Sequence, residues 1–154
     1  MIALRPPRDD EGDALTELCL RSKAVHGYDA AFIEMCRAEL TVCIGKPGHV
    51  FIVAERNGEL AGMAEISVNG EEAELEKIFV EPAAIGSGVG RRLFSWARCE
   101  AAALGCSYMM IDAEPGAAPF YRAMGAGEVG QSPSGSIPGR VLPRYRFALA
   151  GISA

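Results

Sequence analysis

The sequence predicts an α/β fold: a mixed, mostly antiparallel central sheet of six to seven strands flanked by about four helices. Three observations carry that expectation. The hydrophobic period changes from helical to strand-like at His49. Two Asn-Gly pairs, Asn57-Gly58 and Asn69-Gly70, then separate three β-branched runs, the strongest short-range signal for hairpins. Last, a glycine-rich turn, Gly86-Ser87-Gly88-Val89-Gly90, leads from the third run into a long amphipathic helical pattern.

The elements follow in order. Ile2 to Arg5 is a short strand stopped by Pro6-Pro7, and Asp9 and Asp10 offer N-cap chemistry for a helix burying Ala14, Leu15, Leu18, Cys19 and Ala24. Gly27 interrupts, and Asp29 caps a second helix with Phe32, Ile33, Cys36 and Leu40 inward. Val50–Ala54, Leu60–Val68 and Ala73–Val80 form an antiparallel meander that Pro82 ends. Leu93, Phe94, Ala97, Ala101 and Leu104 share one face of the long helix, with Gly105 as its C-cap signal. Tyr108–Asp112 reads as a buried strand and Ala117–Met124 as a short helix closed by Gly125. Ala126–Gly130 and Arg144–Leu149 are the last strands, separated by a segment rich in turn formers. No repeat or linker divides the pattern, so residues 1–154 are expected to form one domain.

Composition narrows the function. Hydrophobic residues make up 49% and charged residues 23%, the balance of a globular chain. The opening Met1-Ile2-Ala3-Leu4-Arg5-Pro6-Pro7 has no apolar core of a signal peptide, and no apolar run approaches the ~18 residues of a membrane span. A cytoplasmic protein is expected, with no membrane partner. A net charge of −5 argues against a nucleic-acid platform and suits a cationic acceptor. Cys19, Cys36, Cys43, Cys99 and Cys106 are odd in number and lack Cys-x-x-Cys spacing, so they read as small core hydrophobes in a reducing compartment. With His26 and His49 as the two histidines, no metal site is expected.

Glycines at a strand-to-helix junction let backbone N–H groups converge on an anion, and the helix dipole adds partial positive charge there. The dinucleotide fingerprint needs a third glycine where Arg91 stands, and a P-loop needs Gly-Lys-Ser/Thr, whereas Gly45-Lys46 is followed by Pro47. A turn serving chain reversal alone stays open on this pattern. The wider stretch Leu75-Glu76-Lys77-Ile78-Phe79-Val80-Glu81-Pro82-Ala83-Ala84-Ile85-Gly86-Ser87-Gly88-Val89-Gly90-Arg91-Arg92-Leu93 closely resembles the signature of the GNAT acyltransferases. There, a strand ending in Val-x-Pro runs through Gln/Arg-x-x-Gly-x-Gly/Ala into a helix. Phe120-Tyr121-Arg122-Ala123-Met124-Gly125 resembles the family's second signature at the family's separation, and the order of elements matches along essentially the whole chain. Two positions depart: Ile85 stands where the family usually has Gln or Arg, and Glu114 where it often has Asn.

The resemblance implies acetyl-CoA as acyl donor and a small-molecule or peptide amine as acceptor, with direct attack in a ternary complex. It implies a splayed pair of central strands in which the backbone of Ile78, Phe79 and Val80 pairs with the pantetheine arm. The pyrophosphate would lie at Ile85, Gly86, Ser87, Gly88, Val89, Gly90 and Arg91. Tyr121 falls on the family's general-acid tyrosine, and a phenol is a sensible proton source for a departing thiolate. Glu72, Glu74 and Glu76 would share a face of an unbroken strand, but a bulge would separate them, and Glu76 is the choice as general base. A solvated edge carboxylate, with water as base, is the alternative. His26 and Tyr28, between the first two helices, would touch the acceptor or belong to a plain surface loop, and Arg140 would clamp a carboxylate from the opposite wall or pair at the surface. His26-Gly27-Tyr28 and Ser136-Ile137-Pro138-Gly139-Arg140 are similar to segments of family members without an assigned substrate. A homodimer, O-acylation and a longer acyl chain stay open. The rival from another class is a CoA-binding sensor or interaction module without catalysis; Ile85 and Glu114 speak for it and Tyr121 against.

Overall fold

The computed structural model describes residues 1–149. In chain order the elements are β1 (Ile2–Arg5), α1 (Gly12–Ala24), α2 (Ala30–Met35), α3 (Arg37–Leu40), β2 (His49–Arg56), β3 (Glu59–Asn69), β4 (Glu72–Val80), α4 (Val89–Ala103), β5 (Tyr108–Asp112), α5 (Ala118–Ala123), β6 (Gly127–Pro133) and β7 (Val141–Ala148). Short 3-10 turns at Pro82–Ala84 and Pro115–Ala117 precede α4 and α5. The strands form one seven-stranded sheet in the order β1-β2-β3-β4-β5-β7-β6. Every neighbouring pair is antiparallel except β4 with β5. No helix among the described residues is long and apolar enough to cross a membrane.

Helices cover both faces of the sheet, which is why Phe51-Ile52-Val53-Ala54 is buried without alternation. On one face Leu15 and Cys19 of α1, with Cys36 and Leu40, pack on Phe51, Val53 and Met63. On the other, Phe94, Ala97 and Ala101 of α4 meet Ile66, Ala73, Leu75 and Ile111, while Val89 and Leu93 meet Ile52 and Ala64. Gly62 makes the second contact possible. A Cβ there would stand 2.8 Å from the Phe79 carbonyl oxygen and 3.0 Å from the side chains of both Leu93 and Val89.

The structure corrects several local expectations. Asp9 and Asp10 do not cap α1: the chain turns at Glu11, whose side chain instead accepts from the Arg8 N–H and both terminal nitrogens of Arg5. Ala14, Ala24 and Leu104 are exposed: Ala14 lies on the outer side of α1, Ala24 is its last residue, and Leu104 stands past the end of α4. The second hairpin turns through Gly70-Glu71, since Asn69 already pairs with Glu72. Gly70 supplies the positive φ (64°) at the first central position, so glycine takes the strained place and asparagine does not. Cys43 is exposed rather than a core residue, whereas Cys19, Cys36 and Cys106 are buried. Gly105 does end α4: its N–H and that of Cys106 return to Ala102 and Ala101, a Schellman closure.

One irregularity shapes the centre of the sheet. Glu65 of β3 faces Lys77, yet the next residue, Ile66, faces Leu75, so Glu76 is an extra residue bulged out of β4. The bulge flips the alternation. Before it, Ala73 and Leu75 point toward α4; after it, Ile78 and Val80 do, and Phe79 turns toward α1. The parallel pairing of β4 with β5 runs from Glu72 and Tyr108 to Leu75 and Ile111 and stops there. Beyond the bulge the two strands part.

Candidate active site

A cleft of about 320 Å³ opens where β4 leaves β5. Its walls come from the end of α1 (Ser22, Lys23), from β4 (Glu76 to Val80), and from the segment after β5 (Glu114, Phe120, Tyr121). A second hollow, at the glycine turn, shares Val80, Ile85, Gly90 and Phe120 with the first, so the two are continuous. The free edge of β4 has a defined polarity. The N–H of Glu81 bonds the Ala61 carbonyl on β3, and donors alternate along an antiparallel strand, so the N–H groups of Val80 and Ile78 point the other way, into the cleft. The Val80 N–H meets the Ser22 hydroxyl at 3.3 Å, and the Ile78 N–H is left for a ligand.

At the far end Gly86 and Gly88 hold φ of 85° and 92°, conformations that side-chain-bearing residues rarely adopt. The Arg92 N–H is the first to find a helical acceptor, the Gly88 carbonyl at 3.1 Å. The N–H groups of Val89, Gly90 and Arg91 are therefore the orphan donors of the α4 N-terminus, aimed at one point with the helix dipole behind them. Arg91 lines this hollow and Ile85 lies exposed across its rim. These donors, with no Cβ on Gly86 or Gly88 in the way, fit a pyrophosphate.

Tyr121 lines the first hollow, next to Phe120, which lines both. Its ring is buried against Phe120 (centroids 5.4 Å apart), Phe94 (6.2 Å) and Tyr145 (6.4 Å), and no side chain among the described residues hydrogen-bonds its hydroxyl. Burial, helped by the Glu114 charge, pushes the phenol well above the ordinary tyrosine range, so it holds its proton.

The carboxylates divide by partner. Glu74 is taken by Arg144, which bonds both its oxygens (2.8 and 3.0 Å) and also Asp112 at 2.6 Å. That guanidinium staples β4, β5 and β7 just before the strands part. Burial nevertheless keeps the Glu74 carboxyl above its usual range, against the pull of Arg144. Glu76, freed by the bulge, reaches the cleft with the Ser67 hydroxyl at 2.6 Å and, among the described residues, no salt bridge to a cation. Lys77 also lines the cleft, but its ammonium turns to Glu65 (3.2 Å), which is buried and shared with His49 Nδ1 at 2.6 Å.

Of the expected acceptor residues, His26 lines the cleft, resting on Gly116, while Tyr28 and Arg140 stand behind its wall and hold Glu114, which lines it. The Tyr28 phenol is pushed up to about 12, by burial first and by its bond to Glu114 second. Burial alone would raise the Glu114 carboxyl, but Tyr28, Lys23 and Arg140 outweigh it and hold the group below the ordinary carboxylate range. Sequence reasoning looked to the connection from Ser22 to Tyr28 without singling out Ser22 or Lys23, and it missed Glu39 and Asp112 as cleft residues. Only the segment around Lys23 carried a signal, its place just before His26 and Tyr28; the other contacts are made by tertiary packing. Among the described residues no group of three His, Cys, Asp or Glu could hold a metal ion.

Comparison with known proteins agrees with this fold. Residues 13–126 match the sequence model of the acetyltransferase (GNAT) family. Over 71 residues, 45% of the chain and 46% of its partner, the sequence is 35% identical to an IAA acetyltransferase of Azospirillum brasilense, so the match spans less than half of that relative. The PaiA N-acetyltransferase of Thermoplasma acidophilum, solved in complex with coenzyme A, has the same fold at a TM-score of 0.77 and 16% identity, over 96% of this chain and 99% of that one. The ribosomal-protein-S18-alanine N-acetyltransferase of Escherichia coli superposes at 0.71 with 18% identity, over 97% and 94%.

Proposed function

The chain belongs to the GNAT family of acetyltransferases, and we propose that it moves an acetyl group from acetyl-CoA to an amine by direct attack within a ternary complex. The observation that carries the reading is the parting of β4 from β5 beyond Leu75 and Ile111, beside a buried tyrosine with an unpartnered hydroxyl. Bound acetyl-CoA supplies the thioester. The protein's own groups do the rest. Val89, Gly90 and Arg91 give backbone donors to the pyrophosphate, and Arg91 adds charge. The Ile78 N–H points where negative charge grows on the carbonyl oxygen, a position at which one fixed donor is worth about 3 kcal/mol of barrier. Tyr121 gives its proton to the departing sulfur. The burial that raises its phenol raises the basicity of a thiolate in the same pocket, so the two stay matched. Glu76, directly or through water, takes the proton of the incoming ammonium.

The acceptor is a small-molecule or peptide amine. Glu76 and Glu39 face the cleft without a cationic partner among the described residues, which favours an ammonium over an anion. Residues 1–154 act as one acetyltransferase domain, and the free cysteines suit the cytoplasm. Calorimetry with acetyl-CoA, followed by a thiol-release screen over primary amines, tests the reading. Micromolar binding and amine-dependent release are the expected results; absence of binding up to millimolar donor overturns it. Binding without release, for any amine and in Tyr121→Phe alike, would make the chain a coenzyme A sensor instead.

A further inference from the structure

Glu114 follows β5 and opens the turn that leads into α5 and Tyr121. Its carboxylate accepts from Lys23 Nζ at the end of α1 (3.0 Å), from the Tyr28 hydroxyl in the α1–α2 connection, and from Arg140 Nη2 in the β6–β7 connection (3.4 Å). The arms support one another. Arg140 also donates to the Tyr28 oxygen at 2.5 Å and lies over the rings of Tyr28 and Phe32 (5.3 and 5.2 Å), which stack 4.1 Å apart. Below them His26 presses on Gly116 so closely that a Cβ there would fall 2.4 Å from its Nδ1. One carboxylate thus joins three connections that are distant in sequence and adjacent at the acceptor end of the cleft.

Burial separates this cluster from an ordinary surface pair. The side chains of Lys23, Glu114 and Arg140 are 13%, 14% and 20% exposed. Exposed ion pairs contribute little, but removing one member of a mostly dehydrated set leaves its partners charged and unpaired. Two cations share one carboxylate here, so without Glu114 they repel each other and push their connections apart. Of the group, Lys23, His26 and Glu114 line the cleft itself.

We propose that Glu114 is a positioning residue, whose carboxylate latches the α1–α2 and β6–β7 connections across the acceptor end of the cleft and so holds the amine against the thioester. The inference rests on the reading of the cleft as an acetyl-transfer site, and its test separates the two. Steady-state kinetics on the full chain compare wild type with Glu114→Gln and Lys23→Met, using n-butylamine as the probe acceptor. A latch predicts an acceptor KM raised about tenfold or more, with the KM for acetyl-CoA unchanged. It also predicts coupling: Lys23→Met with Glu114→Gln loses less than the two single losses combined. Hydrogen exchange gives a readout independent of turnover. The bonded amides of residues 25–27 and of Ser134, Ser136, Ile137 and Arg140 lose protection in Glu114→Gln while those of β2, β3 and β4 keep it. Unchanged loop protection overturns the latch even if acetyl transfer stands, as does a parallel change in both KM values with a general loss of protection. If Glu114→Gln does not fold, Lys23→Met is judged by the same two readouts. If wild type fails to bind acetyl-CoA, the function is wrong, and the exchange data still decide the latch.

Discussion

Replacing Tyr121 by phenylalanine should separate chemistry from stability. The ring is 6% exposed and its contacts with Phe94, Phe120 and Tyr145 do not involve the oxygen. No described side chain bonds the hydroxyl, which opens on the cleft, so its loss breaks no hydrogen bond within the described residues. The folded state should change by no more than about 1 kcal/mol. For a chain of this length that is a shift in Tm of no more than about 4 °C. Turnover should fall by about 10²–10⁴, roughly 3–5.5 kcal/mol of barrier, since the sulfur must then leave without its proton. The dissociation constant for acetyl-CoA should not move. Alkaline stability gives an independent check. Burial raises the Tyr121 phenol, so its contribution to stability is complete below the unfolded tyrosine value near about 10 and falls as pH rises past it. Tyr121→Phe removes that contribution and should lose less stability than wild type on going from pH 9 to pH 11. Thiol release at a wild-type rate would end the case for Tyr121 as acid. A Tm lowered by several degrees would show that the hydroxyl holds structure.

Gly62→Ala should cost about 1–3 kcal/mol, read from denaturant melts, because its Cβ would meet the Phe79 backbone oxygen at 2.8 Å, which cannot rotate away. The displaced α4 should also weaken acetyl-CoA binding; unchanged stability and affinity would count against this packing. Glu76→Gln should lower kcat about 100-fold with donor affinity kept, and an unaltered kcat would assign the proton to water or to the amine itself. The two hydrogen bonds from Arg5 at 2.8 Å lead in holding the Glu11 carboxyl down, to about 2. Its stabilisation is therefore full above the unfolded carboxylate value and lost as pH falls through 2. Thermal melts of Glu11→Gln should lie below wild type at pH 7 and converge with it by about pH 2; a constant gap would refute the assignment.

Much of the architecture was legible because it rests on local chemistry. Asn57-Gly58 can hardly be anything but a hairpin turn, and both residues hold positive φ. Gly88 and Gly105 stand at the two ends of α4 where left-handed backbone is required. What misled were residues with two possible roles. Asp9 and Asp10 have capping side chains, but Glu11 reached Arg5 and set the turn instead. The glycine turn of the proposed donor side was readable because backbone makes it, and glycines announce backbone. The acceptor side was not, because it consists of ion pairs between distant segments: nothing near Glu114 in sequence announces Lys23, which is 91 residues away. Arg140 was singled out as a carboxylate clamp, and the carboxylate it meets belongs to the protein itself.

The bulge at Glu76 ties the donor and acceptor sides together. In an unbroken β4, Glu76 would share a face with Glu74 and have a partner on β3. With one extra residue, Glu76 loses its partner and turns to the cleft, and the alternation flips. Ile78 and Val80 then pack toward α4 while their N–H groups face the gap. Pairing with β5 ends at Leu75, the residue before the insertion, so the gap begins where the irregularity does. Such a gap exposes unpaired backbone. Arg144 of β7 ties the paired bases together next to it, gripping Glu74 on one strand and Asp112 on the other. The inserted residue opens the site, the guanidinium sets where it starts, and of the two outward N–H groups beyond it Val80 meets the Ser22 hydroxyl while Ile78 faces the gap.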